Sequence, residues 1–172
     1  MTAKKNQIRI RTTGEIDAVN TLHCETVIDL SGVNDLYYRG ALSRWPDEKK
    51  EQFFLGRLRK VMPGVRLEKL KILPDNIRNM GSPLKFKLTY TVPLNVKEDD
   101  RQMIMPELSS VFGIGEVVFQ DLELLKRKYP LRFVSTCLTD EEYSVKLPAA
   151  LKIVAVPESE EFNVNSGISY FC

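Results

Sequence analysis

Arg127-Lys128-Tyr129-Pro130-Leu131-Arg132-Phe133 opens a stretch punctuated by three prolines, Pro130, Pro148 and Pro157, in which apolar and polar residues alternate. Tyr129, Leu131 and Phe133 share one side of an extended chain. Tyr143, Val145 and Leu147 do the same further on, with Glu142, Ser144 and Lys146 opposite them. A side-chain period of two marks strands with one buried face. Proline suits a strand's first position, its edge or its end, because it cannot donate to the ladder. The stretch predicts a β-sheet scaffold and carries no catalytic chemistry of its own.

Upstream the same period recurs. Residues 7–12 alternate Ile8 and Ile10 with polar neighbours, and Thr13-Gly14-Glu15 reads as a turn. A strand over 18–30 places Leu22, Cys24, Thr26, Ile28 and Leu30 on one face and Thr21, His23, Glu25, Val27 and Asp29 on the other. The period then becomes helical. Val33, Leu36, Tyr37 and Gly40 predict a helix over 32–43, and Trp45-Pro46-Asp47 starts a second. On the second helix Phe54, Leu58, Val61 and Met62 form the apolar stripe, and Lys49, Lys50, Arg57 and Lys60 face water. Pro63-Gly64 stops it, so the two helices should form a hairpin packed on one sheet face. Residues 65–72 and 84–92 read as strands, the latter alternating throughout. Lys97-Glu98-Asp99-Asp100-Arg101 reads as a charged turn and 102–105 as a short strand, while 107–125 reads as neither helix nor strand clearly. Residues 151–156, 161–164 and 168–171 complete the extended segments, with a turn at Asn165-Ser166-Gly167.

Composition excludes several classes. The 172 residues suffice for one domain or two small ones with a real core. A formal net charge of +2, from 25 basic and 23 acidic residues, is not that of a dedicated nucleic-acid binder. No apolar run approaches the roughly 20 residues a membrane helix needs, and the charged start Met1-Thr2-Ala3-Lys4-Lys5 is not followed by the apolar core of a signal peptide. Three cysteines, Cys24, Cys137 and Cys172, are neither a disulfide framework nor a CxxC zinc site. One disulfide plus a spare thiol, or three separate thiols, both fit.

Each chemical constellation has a plainer counterpart. His23 and Cys24 are adjacent, but neighbours on a strand point to opposite faces, so the imidazole does not serve its neighbouring thiol. His23 drawn to Cys137 or Cys172 through the fold would define a cysteine-dependent hydrolase or transamidase. One histidine is far from a usual metal-ligand set, Glu98-Asp99-Asp100 lacks a glycine-bent calcium loop, and no metal or cofactor is expected. Gly113-Ile114-Gly115 is half a dinucleotide fingerprint, with Val118 where the third glycine belongs. Arg57, Arg59 and Lys60, like Lys126, Arg127 and Lys128, read as wet faces. Trp45, Tyr37 and Tyr38 could form an exposed platform for a peptide or glycan, or pack between helices and sheet.

The order of these features resembles the C-terminal non-catalytic region of bacterial transglutaminase-like proteins, whose papain-like core lies between β-rich domains. The likeness rests on Gly14 within a strand-turn-strand opening, Gly32 before the helices, Arg39 in the first and Pro63-Gly64 ending the second. Arg127-Lys128-Tyr129-Pro130-Leu131 is similar to the family's entry to its last domain, and Leu147-Pro148 with Val156-Pro157 to its paired Leu-Pro signature. Ala149-Ala150 stands where the family has a glycine, and Val156 where it has a leucine. The family's catalytic Cys, His and Asp motifs have no counterpart, so no catalytic role carries over. The resemblance implies an exported, periplasmic parent and, as partner, the protein's own catalytic core.

The expected fold is mainly β with a helical hairpin inserted at about 32–62, an α+β arrangement of β-sandwich-type antiparallel sheets. A β-rich unit over 7–126 would hand over to a C-terminal antiparallel unit over 127–172. That second unit is expected to be truncated, because the chain stops as a returning strand begins.

Overall fold

Residues whose apolar side chains alternate fold into a sheet because that spacing lets one face leave water while every backbone group pairs. The computed structural model describes residues 3–94, 107–113, 135–149, 158–164 and 168–171. Strands β1 (Gln7–Ile16) and β2 (Thr21–Leu30) form an antiparallel hairpin. Helices α1 (Val33–Leu42) and α2 (Asp47–Val61) follow, then β3 (Arg66–Leu73) and β4 (Lys85–Pro93). After a short 3₁₀ turn at Leu108–Ser110 comes β5 (Leu138–Lys146). The five strands make one sheet in the order β3-β4-β2-β1-β5. A separate antiparallel pair joins β6 (Glu161–Val164) to β7 (Ile168–Phe171).

The expected β-rich α+β fold with a helical hairpin after the second strand is what the chain adopts. The large sheet is mixed, however, rather than antiparallel throughout: β5 lies parallel to β1, with Gln7 opposite Leu138 and Glu15 opposite Lys146. The second layer against this sheet is the helical hairpin. Phe86 of β4 meets Tyr38 of α1 at 5.2 Å and Phe54 of α2 at 4.7 Å between ring centroids, both edge-on. Ile8, Ile10, Ile28, Leu42, Leu58, Leu84 and Leu88 fill the same core. Burying each such side chain stabilises by roughly 1.5–3 kcal/mol.

Some local expectations shift. Thr13-Gly14-Glu15 is not a turn; β1 runs through it to Ile16. The reversal comes at Asp17–Asn20, where the Asp17 carboxylate accepts the Val19 and Thr21 N–H groups and Asn20 takes a φ of 58°. An aspartate that mimics a backbone turn outcompetes the Gly14 signal. Leu22, Cys24, Thr26, Ile28 and Leu30 do share the buried face. Tyr143 and Val145 sit against the core while Glu142, Ser144 and Lys146 face water.

Helix α1 turns the opposite way from the simplest reading of its pattern. Its buried residues are Asn34, Tyr38, Arg39 and Leu42, and Leu36, Tyr37 and Gly40 look outward. Of the stripe expected on α2, Phe54 and Leu58 are buried, as is Met62 just past the helix end, and Val61 is half-buried against the core. Arg57 is a correction: it is buried and donates to the Val111 carbonyl, with its guanidinium 4.5 Å from the Phe53 ring centroid. The extended stretch at 127–133, the handover expected at 126–127, the strands expected at 102–105 and 151–156 and the Glu98-Asp99-Asp100 turn lie outside the described residues. No helix among the described residues is long and apolar enough to cross a membrane.

Candidate functional site

Strand β2 carries the two side chains that could make a nucleophile and its base, and the pleat sends them to opposite faces. Cys24 is buried on the core side, where desolvation pushes its thiol up to about 11. His23 is exposed on the open side, its Nε2 2.9 Å from Asp17 Oδ2. The imidazole and the Thr21 N–H hold the Asp17 carboxyl below the usual carboxylate range. Cys137 lies at the other end of the sheet. Gly14 is opposite Cys24 and Gln7 is opposite Leu138, seven positions along β1, or roughly 23 Å at the rise of an extended strand. Neither His23 nor Cys24 reaches Cys137, so these two thiols cannot form a disulfide as placed. Cys137 instead sits 3.4 Å from the Asn34 amide. Cys172 lies outside the described residues.

Beneath the sheet, the hydroxyls that accompany Cys24 satisfy one another. Thr12 Oγ1 is 2.8 Å from Thr26 Oγ1, which is 3.0 Å from the Tyr90 hydroxyl. Burial raises the Tyr90 and Tyr143 phenols well above their ordinary value. Glu141, on the same face of β5, accepts the N–H groups of Leu108 and Ser109 at 2.7 and 3.0 Å and so fixes the 3₁₀ turn against the sheet. Donors and acceptors joined this way in an apolar surround specify packing.

On the open face the strands leave a shallow depression of about 440 Å³ walled by Glu15, His23, Glu25, Glu68, Thr89 and Lys146, with Cys24 and Tyr90 also among its lining residues. Glu15 is engaged by Lys146 at 2.8 Å. The depression presents charges of both signs on a wide surface. Among the described residues no group of three or more His, Cys, Asp or Glu side chains is placed to hold a metal ion.

The three aromatics singled out in the sequence do not form one platform. Tyr38 is buried, its hydroxyl accepting the Gly113 N–H at 2.9 Å. Trp45 is half-buried, edge-on to Phe53 at 5.3 Å and with Lys49 Nζ 4.7 Å above its ring. Tyr37 alone of the three is well exposed, at 53%. Leu36, its neighbour in α1, is 57% exposed, and Met80, on the loop between β3 and β4, is 63% exposed.

What sets this surface is Arg39, which sequence reasoning placed in α1 without a role. Its guanidinium pairs with Asp35 one turn earlier and donates to the carbonyls of Ile77, Asn79 and Ser82. Asp35 in turn accepts the Leu84 N–H at 2.8 Å. The 77–82 loop is thereby fastened to α1. The Asp35/Arg39 spacing of four residues was the one sequence signal for this hub.

Comparison with protein-family models, with curated proteins and with solved structures finds no match to the chain.

Proposed function

We propose that this chain is a non-catalytic accessory module that packs on or orients the body of a larger protein. The observation that carries the reading is the separation of the two reactive side chains. Cys24 is buried with its thiol pushed up to about 11, and His23 is engaged by Asp17 on the opposite face. A thiol needs a nearby base or a lowered pKa to act as a nucleophile at neutral pH. The motif order described above supports placing the module C-terminal to a transglutaminase-like core in an exported bacterial protein.

Two measurements test the proposal together. Alkylation by iodoacetamide at pH 8 should leave Cys24 unmodified in the folded chain, because only about one thousandth of a thiol with that pKa is ionised. Cys24 should react once urea unfolds the protein. The same chain should show no amidase, protease or transamidase turnover. Fast modification of Cys24 under native conditions, or turnover abolished by Cys24→Ala or Cys137→Ala, would overturn the reading and favour a cysteine-dependent enzyme.

A further inference from the structure

Strand β3 is the last strand on one side of the sheet, and no strand among the described residues pairs with its outer edge. An edge strand turns a row of N–H and C=O groups outward, where they can accept a further strand. The two faces of β3 differ in chemistry. Leu67, Leu70 and Ile72 are half-buried and pack against the core on the helix side. There a slot of about 160 Å³ opens between α2 and β3, lined by Glu51, Gln52 and Leu55 of the helix and by residues 67–70 of the strand. Lys69 and Lys71, opposite Thr89 and Lys87 of β4, stand exposed on the open face.

Charge on this edge is one-sided. Lys71 lies directly across from Lys87, and like charges so placed destabilise a strand pair. Elsewhere on the open face the basic side chains are matched: Lys85 by Asp29, Arg9 by Asp140, Arg11 by Asp140 and Glu142, and Lys146 by Glu15. No ion pair among the described residues engages Lys69, Lys71 or Lys87. The carboxylates nearby do not interrupt the row. Glu68 falls at a shift in the ladder between Leu67 and Lys69, before the row begins, and Asp75 comes after β3 has ended. Glu51 belongs to the helix side, and Glu25 lies two strands inward from Lys69, at roughly 10 Å.

We propose that the edge of β3 from Lys69 to Leu73 takes up, as a further strand, an extended segment of a partner protein in which Asp or Glu alternates with apolar residues. The period of two then sets its acidic row beside Lys69 and Lys71 and its apolar row beside Leu70, Ile72 and the slot. Main-chain hydrogen bonds supply the pairing, and the two rows supply the choice of segment. A second copy of β3 would bring lysines to lysines and is selected against. The proposal rests on the reading of the chain as an accessory module and names the edge by which it attaches.

The test uses the whole chain and a synthetic peptide of about seven residues in which Glu and Val alternate. A second peptide carries lysine in place of glutamate, and a third keeps the glutamate sequence but is N-methylated along its backbone, which removes its hydrogen-bond donors. The glutamate peptide should shift the amides of residues 69–73, protect alternate amides among them from exchange, and bind less tightly as salt is added. Lys69→Glu combined with Lys71→Glu should weaken its binding by about tenfold or more and make the lysine peptide the tighter ligand. Thermal stability should not fall, because both positions are exposed and the change at 71 sets a carboxylate opposite Lys87. Equal binding of the lysine or the N-methylated peptide to the parent chain, amide shifts centred elsewhere, absence of binding, or a dimer of the chain paired through β3 would each overturn the proposal. Turnover by the chain itself would instead overturn the accessory reading, and that assay is separate from peptide binding.

Discussion

Gly32 carries the chain from β2 into α1 at a φ of 59°, a conformation that side chains resist. A Cβ there would lie 2.1 Å from Asn6 Oδ1 and 2.3 Å from the Lys5 carbonyl oxygen. The close approach exists because Asn6 does the work of a helix cap from a distant part of the chain. Its Oδ1 accepts the Val33 N–H at 3.1 Å, and its Nδ2 donates to Ser135 Oγ and the Thr136 carbonyl. One buried side chain thus ties together the start of β1, the start of α1 and the entry to β5. Gly32→Ala should cost about 3 kcal/mol or more, combining backbone strain with the displaced Asn6. Asn6→Ala should cost about 2 kcal/mol for the lost cap and the polar groups left behind. Because both act through the same contact, the double variant should lose less than the sum, which urea denaturation of all three would read. Gly32 was visible in the sequence as a glycine ahead of a helix. Asn6 was not, because its partners lie 27 and about 130 positions away and no local pattern announces them.

At the scale of elements, the strands were legible and the orientation of α1 was not. The alternation over 84–92 gives β4 its faces directly: Phe86, Leu88, Tyr90 and Val92 are inside. A strand offers only two faces, so a period of two fixes the inner set up to one choice. A helix offers a continuum. With Tyr38 and Leu42 on one side and Leu36 and Tyr37 on the other, the apolar pattern of α1 cannot decide which arc is covered. Arg39 decides it, because its buried guanidinium, paired with Asp35, takes its remaining acceptors from the 77–82 loop. Arg39→Met should therefore cost about 3–5 kcal/mol, since it leaves Asp35 and three carbonyls without their shared donor. The loss should be local first. Amide hydrogen exchange should show residues 77–82 and the Leu84 N–H losing protection before the amides of β1 and β2 do. Uniform loss across the sheet would mean that the loop is held by something other than Arg39.

Across the whole molecule, the feature that local patterns could not reveal is the addition of β5 to the sheet beside β1. Its alternation over 143–147 was read correctly as a strand with one buried side, but nothing in 138–146 says that its neighbour is β1 or that the two run parallel. That pairing joins residues about 130 positions apart, and side chains on the open face sort the register. Arg9 and Arg11 both reach Asp140, at 3.1 and 2.9 Å, and Arg11 also reaches Glu142 at 2.9 Å. The hydrogen bond from Arg11, its charge and then Arg9 hold the Asp140 carboxyl below the ordinary carboxylate range. A carboxyl whose pKa is lowered by folding contributes stability that is complete above its unfolded value, near 4, and is lost as pH falls through the lower folded value. Acid should therefore loosen β5 from β1 while the apolar core under β2 and β4 persists, and added salt should weaken the same contact at neutral pH. Asp140→Asn keeps the shape and removes the titration, so its stability should vary less with pH below 4 than that of the parent chain. Amide exchange along β5, followed from pH 6 to pH 3 in both proteins, distinguishes this from general acid unfolding. If β5 and β2 lose protection together, and Asp140→Asn changes nothing, Arg9 and Arg11 do not hold β5 in place.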